Sequence, residues 1–153
     1  MIPLLALLIG IVAGLRAMTA PAVVSWAAHL GWIPLTHDGL VWLAHPWAHR
    51  ILTALAVAEL IADQRPSTPS RTVPVQFGTR ILAGALCGAA LCGDQWTLLI
   101  GAVAGAAGAV IGTLGGRAAR ARLAGAFNSD RPAALIEDAV AIAGAILIVR
   151  MIP

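Results

Sequence analysis

AGLRAMTAPA, residues 13–22, interrupts an apolar segment that runs from Ile2 to Ile33. As one straight helix that segment would extend about 48 Å, well beyond a hydrocarbon core of about 30 Å. It must break, and Arg16, Thr19 and Pro21 are the residues that would break it. Either one long tilted helix kinks near Pro21, whose ring removes the backbone hydrogen bond to residue 17, or two short helices, 2–14 and 18–33, fold back on each other at Arg16. Backbone groups freed at such a break survive at membrane depth only beside protein or a wet cavity. Arg16 would then place a fixed positive charge at the break, or else snorkel to the head groups.

The rest of the chain makes a membrane setting the expectation. Of its 153 residues 59% are hydrophobic and 11% charged, with a mean hydropathy of +0.88, too little polar surface to cover a water-soluble globule. The ten basic residues are all arginine and give a net charge of +3. They fall in short stretches between apolar runs, the pattern of membrane orientation, so no nucleic-acid partner is expected. The opening MIPLLALLIGIVAGLRAM lacks the basic lead of a secretory signal and is read as retained. Cys87 and Cys92 share one apolar run but point about 140° apart around a helix, which suits two small buried hydrophobes.

Spanning takes about 20 helical residues, and candidate spans fall at 2–33, 48–63, 74–93, 96–115 and 132–152. Pro74 and Pro132 suit a first helical turn, Gly93 and Asp94 a tight turn, and Gly115 and Gly116 the close of the fourth helix. The loop 64–73, with Arg65 and Arg71, and the loop 117–131, with Arg117, Arg120, Arg122 and Arg131, should both be cytoplasmic. Trp32, Trp42, Trp47 and Trp96 then land on the outer side and Trp26 toward it, as an interfacial aromatic belt requires. If the first segment is a hairpin, three segments flank the central loop on each side, the count an inverted repeat needs. GIVAGLRA (10–17) echoes GTLGGRAA (112–119), and AELIAD (58–63) echoes ALIEDA (134–139). The expected fold is all-α: a polytopic transmembrane bundle of five to six segments in a single domain, 1–153, with candidate repeat halves 1–63 and 74–153.

Charge inside these spans marks the candidate site. Glu59 and Asp63 stand four residues apart on one helix face, where like charges repel. At about 1.5 Å per residue, Glu59 lies about one turn inside its boundary, Arg80 about 9 Å in from Pro74, and Glu137 and Asp138 about 8 Å in from Pro132. All reach a similar depth, and intramembrane ionisable groups tend to face the interior and pair. Four carboxylates would meet one arginine, or two if Arg16 joins them at a hairpin tip. That surplus favours a bound cation or protonated carboxyls; the alternative is a set of salt bridges that only fixes helix register.

Elsewhere the signals are weaker. RPSTPSRT (65–72) offers Arg65, Ser67, Ser70 and Arg71 to a phosphate or lipid head group, although a solvated turn that obeys the positive-inside pattern is the stronger reading. Gly101, Gly105, Gly108, Gly112 and Gly116 form a stripe, echoed by Gly84 and Gly88, that lets helices touch closely within one chain or between the subunits of a homodimer. His29, His37, His45 and His49, with Asp38, fall on the outer side; Pro46 argues against a helical metal pair at His45 and His49. No catalytic residue, metal site or cofactor motif stands out, and membrane lipids are the expected surroundings.

AGLRAMTAPA, AELIADQRPSTPSRT and ALIEDAVAI together resemble the landmarks of a family of small bacterial membrane proteins described as a domain of unknown function. Its members show GLR in the first segment, a helix ending in Glu, three residues, Asp, Lys, one residue and Pro, and an LED run in the last helix. This chain has Gly14, Leu15 and Arg16; Glu59, Asp63 and Pro66; and Ile136, Glu137 and Asp138. It departs at Gln64, where a lysine is usual, and at Ile136, where leucine is usual. The resemblance implies a shared membrane fold and no activity.

The leading expectation is a bacterial inner-membrane bundle that binds or passes a small ion or polar solute at Arg16, Glu59, Asp63, Arg80, Glu137 and Asp138. A structural or assembly protein that organises lipids or partners is the alternative, and an intramembrane lipid-modifying enzyme a weaker third.

Overall fold

The computed structural model describes residues 1–63, 73–92 and 95–152, the side chains of 95 and 96 excepted. Among them are six α-helices, a short 3-10 helix at Val41–Ala44 and no strand. The helices are α1 (Ile2–Leu15), α2 (Thr19–His29), α3 (Ala48–Ala62), α4 (Pro74–Ala90), α5 (Gln95–Phe127) and α6 (Asp130–Arg150). Thr97–Phe127 and Asp130–Arg150 are long and apolar enough to cross a membrane; Ile2–Leu15 is a shorter apolar helix. The loop carrying Arg65, Ser67, Ser70 and Arg71, the turn at Gly93 and Asp94, and the side chain of Trp96 lie outside the described residues.

The first segment is two helices. α1 ends where Arg16 turns to an extended conformation, φ −140° and ψ 111°, and α2 starts at Thr19. Pro21 is the third residue of α2, where its missing N–H has no intrahelical partner to lose. The expected role of Pro21 as the breaking residue is thus corrected: the break lies upstream, at residues 16–18. α2 stops at Gly31, whose φ of +73° closes a Schellman turn, with Gly31 N–H donating to Ala28 O at 3.1 Å and Trp32 N–H to Ala27 O at 2.8 Å.

Contacts along the helices give their directions. Gly84 and Gly88 of α4 meet Gly105 and Gly101 of α5, so those two run antiparallel; Leu7 and Ile11 of α1 meet Gly108 and Gly112, so α1 and α5 run parallel. α1 opposes α6, because Arg16 pairs with Asp138 while Val12 lies against Gly144. α2 follows α6, from that pair to Arg150, whose guanidinium sits 3.8 Å from the Trp32 ring centroid. α1 and α2 therefore form a hairpin with Arg16 at its tip. Directions in α1–α2–α3 are the reverse of those in α4–α5–α6, but the sequence echo does not follow that symmetry. GLR and GGR sit on α1 and α5, which are not counterparts, and both acidic motifs lie at the same end of the bundle.

Glycines set the spacing. A Cβ on Gly101, Gly105, Gly108 or Gly112 would collide with the backbone of α4 or α1, so helix axes approach as closely as main chain allows. Those residues are in use within the chain. Leu5, Ile9, Val24, Ala141, Ala145 and Cys87 fill the centre; Cys87 and Cys92 are both buried.

α5 departs from expectation. It does not close at Gly115 and Gly116 but continues through the arginines to Phe127. Asn128, at φ +49°, ends it with Ser129 N–H donating to Ala124 O at 3.2 Å. The expected loop 117–131 is thus mostly helix, and α6 starts at Asp130, with Pro132 inside its first turn.

Candidate functional site

The hairpin tip exposes the ends of two helices to each other, and side chains from other helices answer both. At the C-terminal end of α1, Arg80 Nη1 donates to the carbonyls of Gly14 at 2.6 Å and Leu15 at 2.7 Å, a cation where the helix dipole is negative. The Thr113 hydroxyl lies 3.2 Å from the same Gly14 oxygen. At the N-terminal end of α2, the backbone N–H groups of Ala17 and Met18 each donate to one oxygen of Glu59, both at 2.8 Å. A carboxylate at a helix N-terminus is where the dipole favours an anion. Arg80 Nη2 and Glu59 Oε1 are 3.6 Å apart, so the two capping groups are also an ion pair.

Arg16 is 0% exposed. Its Nη1 donates to Asp63 and its Nη2 pairs with Asp138, while Glu137 Oε2 is 4.0 Å from Nη2. Snorkelling is excluded: the guanidinium faces inward, to carboxylates from α3 and α6. All six expected residues, Arg16, Glu59, Asp63, Arg80, Glu137 and Asp138, meet in one cluster. Glu137 and Asp138 are 8% and 7% exposed and Arg80 3%.

A seventh residue was not anticipated. Arg120 Nη1 lies 3.5 Å from both Asp63 Oδ2 and Glu137 Oε2, and its Nε and Nη2 donate to Asp130 at 2.9 and 2.6 Å. The sequence alone places it in a cytoplasmic loop, because Gly115 and Gly116 precede Arg117. The available signal was the Ala-rich run from Ala118 to Ala126, a strong helix former that carries Arg120 around to the carboxylates. Three guanidiniums therefore face the four carboxylates, rather than one or two.

Beside the cluster, where α3 stops and α4 starts, is a recess of about 190 Å³ lined by Ala17, Glu59, Asp63, Gln76, Thr79 and Arg80. At the opposite end of the bundle lie Trp26, Trp32, Trp42 and Trp47, all exposed. His49 stacks on His29 and Trp26 with centroids 4.3 and 4.1 Å apart. His45 instead accepts from Trp47 N–H at 3.3 Å, so His45 and His49 do not form a helical pair.

Fold and site define an all-helical chain built around a buried network of arginines and carboxylates at a helix break, with two helices able to cross a membrane. The chain belongs to the family described as Domain of unknown function (DUF4126), which matches residues 4–151. No curated protein and no solved structure matches it.

Proposed function

We propose that this is a multi-pass protein of a bacterial inner membrane that binds or passes a small ion or polar solute at the Arg16 cluster. The observation that carries this reading is the α1–α2 hairpin, two half-length helices whose ends meet inside the protein beside a recess bordered by Glu59, Asp63 and Arg80. Non-helical backbone at membrane depth is tolerated where it is buried in protein or lines a cavity, and discontinuous helices of this sort build midplane sites in transporters. Large apolar side chains exposed along α3 to α6, among them Leu55, Leu82, Val103 and Leu147, support lipid surroundings. The arginine-rich end then faces the cytoplasm and the tryptophan end the other side.

The test is flux. Purified protein in liposomes, with trapped indicators for protons, sodium and potassium, is compared with Glu59→Gln, Asp63→Asn, Glu137→Gln and Asp138→Asn. The expected result is movement of one ion by the wild type and its loss in Glu59→Gln, whose side chain borders the recess. Folded variants that all move ions as the wild type does would end the proposal. A second reading, a register-setting network in a structural or assembly protein, is favoured by the matching of Arg16, Arg80 and Arg120 to carboxylates. Crosslinking in native membranes that recovers no partner would count against it.

A further inference from the structure

A second hollow, of about 330 Å³, runs between α5 and α6 and shares no lining residue with the recess at Glu59. Its volume falls within the range of about 300–1,000 Å³ typical of ligand pockets. Gly115, Ala119 and Ile111 of α5 and Ile136 and Val140 of α6 line it, with Ile11 and Leu15 of α1 alongside; Ile111, Ile136 and Val140 are each 41–56% exposed. Arg120 and Glu137 border it at the charged end.

Gly115, like Gly125, differs from the α5 glycines that pack against a neighbouring helix. Gly101, Gly105, Gly108 and Gly112 abut the backbone of a neighbouring helix, whereas a Cβ on Gly115 would meet nothing within 4 Å. Nothing within the chain requires glycine there, and glycine weakens a helix relative to alanine. A side chain at Gly115, which lines the hollow, would enter it. Seven residues on, Arg122 projects from the same face of α5, within about 20° and about 10 Å nearer the charged end. Arg122 is exposed, and its charge faces outward, whereas Arg120 is held by Asp130 and Glu137.

An occupant that fits this arrangement is apolar along its length and anionic at one end. We propose that the hollow between α5 and α6 holds an acyl chain of an anionic phospholipid, with the lipid phosphate on Arg122. The chain lies over Gly115 between Ile111 and Val140, and the head group sits at the arginine-rich end. This inference rests on the membrane setting and is independent of solute passage.

The experiment is native mass spectrometry of the detergent-purified, delipidated protein titrated with phosphatidylglycerol or phosphatidylcholine. The wild type should retain one lipid and prefer phosphatidylglycerol. Gly115→Leu and Ile136→Trp fill the hollow from opposite helices, and each should weaken retention at least about tenfold, as expected for losing the space of several methylenes. Gly125→Leu, at a glycine that is equally open but outside the hollow, should bind as the wild type does. Arg122→Gln should retain lipid but lose the preference for phosphatidylglycerol. Wild-type retention in both filling variants overturns the proposal. So does a shift from dimer to monomer in those variants with lipid binding unchanged, which would assign the hollow to a second copy of the chain. Failure of the membrane reading has a separate signature, a wild-type protein that stays monodisperse without detergent.

Discussion

Arg16 is the residue on which the site turns, because its fork reaches two carboxylates from two helices while none of it touches solvent. Removing one partner of a buried ion pair leaves an uncompensated charge and costs about 3–5 kcal/mol. Arg16→Met should therefore destabilise the fold by that order, measured by denaturant unfolding in mixed micelles. Adding Asp138→Asn should recover part of the loss, because the amide carries no stranded charge. Arg16→Lys should fall between, since a single ammonium cannot reproduce a planar fork. If Arg16→Met unfolds at the wild-type denaturant concentration, the cluster contributes nothing to the fold. Glu59 works differently, through backbone. Glu59→Gln keeps its shape, but its amide has a single acceptor oxygen, so one of the two N–H groups of Ala17 and Met18 loses its acceptor and the other loses the charge assistance, with an expected cost of about 0.5–2 kcal/mol, as for loss of an N-cap. Faster amide exchange at Ala17 and Met18 would report it; exchange as slow as in the wild type would refute it.

Among the elements, α5 is the spine, because α1 and α4 both pack on its glycines. Gly105→Leu would drive a side chain into the backbone of Gly84 and should cost several kcal/mol, beyond the ~1–3 typical of overpacking, because backbone cannot rotate out of the way. Gly125→Ala, at an open position of the same helix, should be neutral or stabilising by up to about 1 kcal/mol. The two thermal midpoints, read side by side, separate packing from propensity; equal midpoints would contradict it. The same helix explains what could be read from sequence and what could not. The common depth of Glu59, Arg80, Glu137 and Asp138 was legible because helix rise is constant and Pro74 and Pro132 mark helix starts. Arg16 was legible as a charge that an apolar segment would not otherwise carry. Arg120 was missed because a glycine ends a helix only by taking positive φ. Gly115 and Gly116 stay within α5, and the residue that does turn is Asn128. Arg120 meets Asp130 and Glu137 across that turn, a tertiary contact that no local pattern contains.

At the scale of the molecule, the hairpin puts both ends of the first segment on the same side. Met1, His29 and Met151 belong to the tryptophan end, whereas Asp63, Asn128 and the hairpin tip belong to the arginine end. A single long helix broken at Pro21 would instead carry the chain across, placing the start of α1 opposite the end of α2. Sidedness of labelling separates these arrangements. In a background with Cys87 and Cys92 replaced by serine, a cysteine replacing Met1, His45 or Met151 should react with a membrane-impermeant maleimide from one face of sealed vesicles. A cysteine replacing Asn128 should react only from the other. The decisive comparison is Met1 with His45, since only a hairpin returns the chain to its starting side before α3 begins. Labelling of those two positions from opposite faces would mean that the first segment crosses once, and the meeting of helix ends at Arg16 would no longer describe the protein in its membrane.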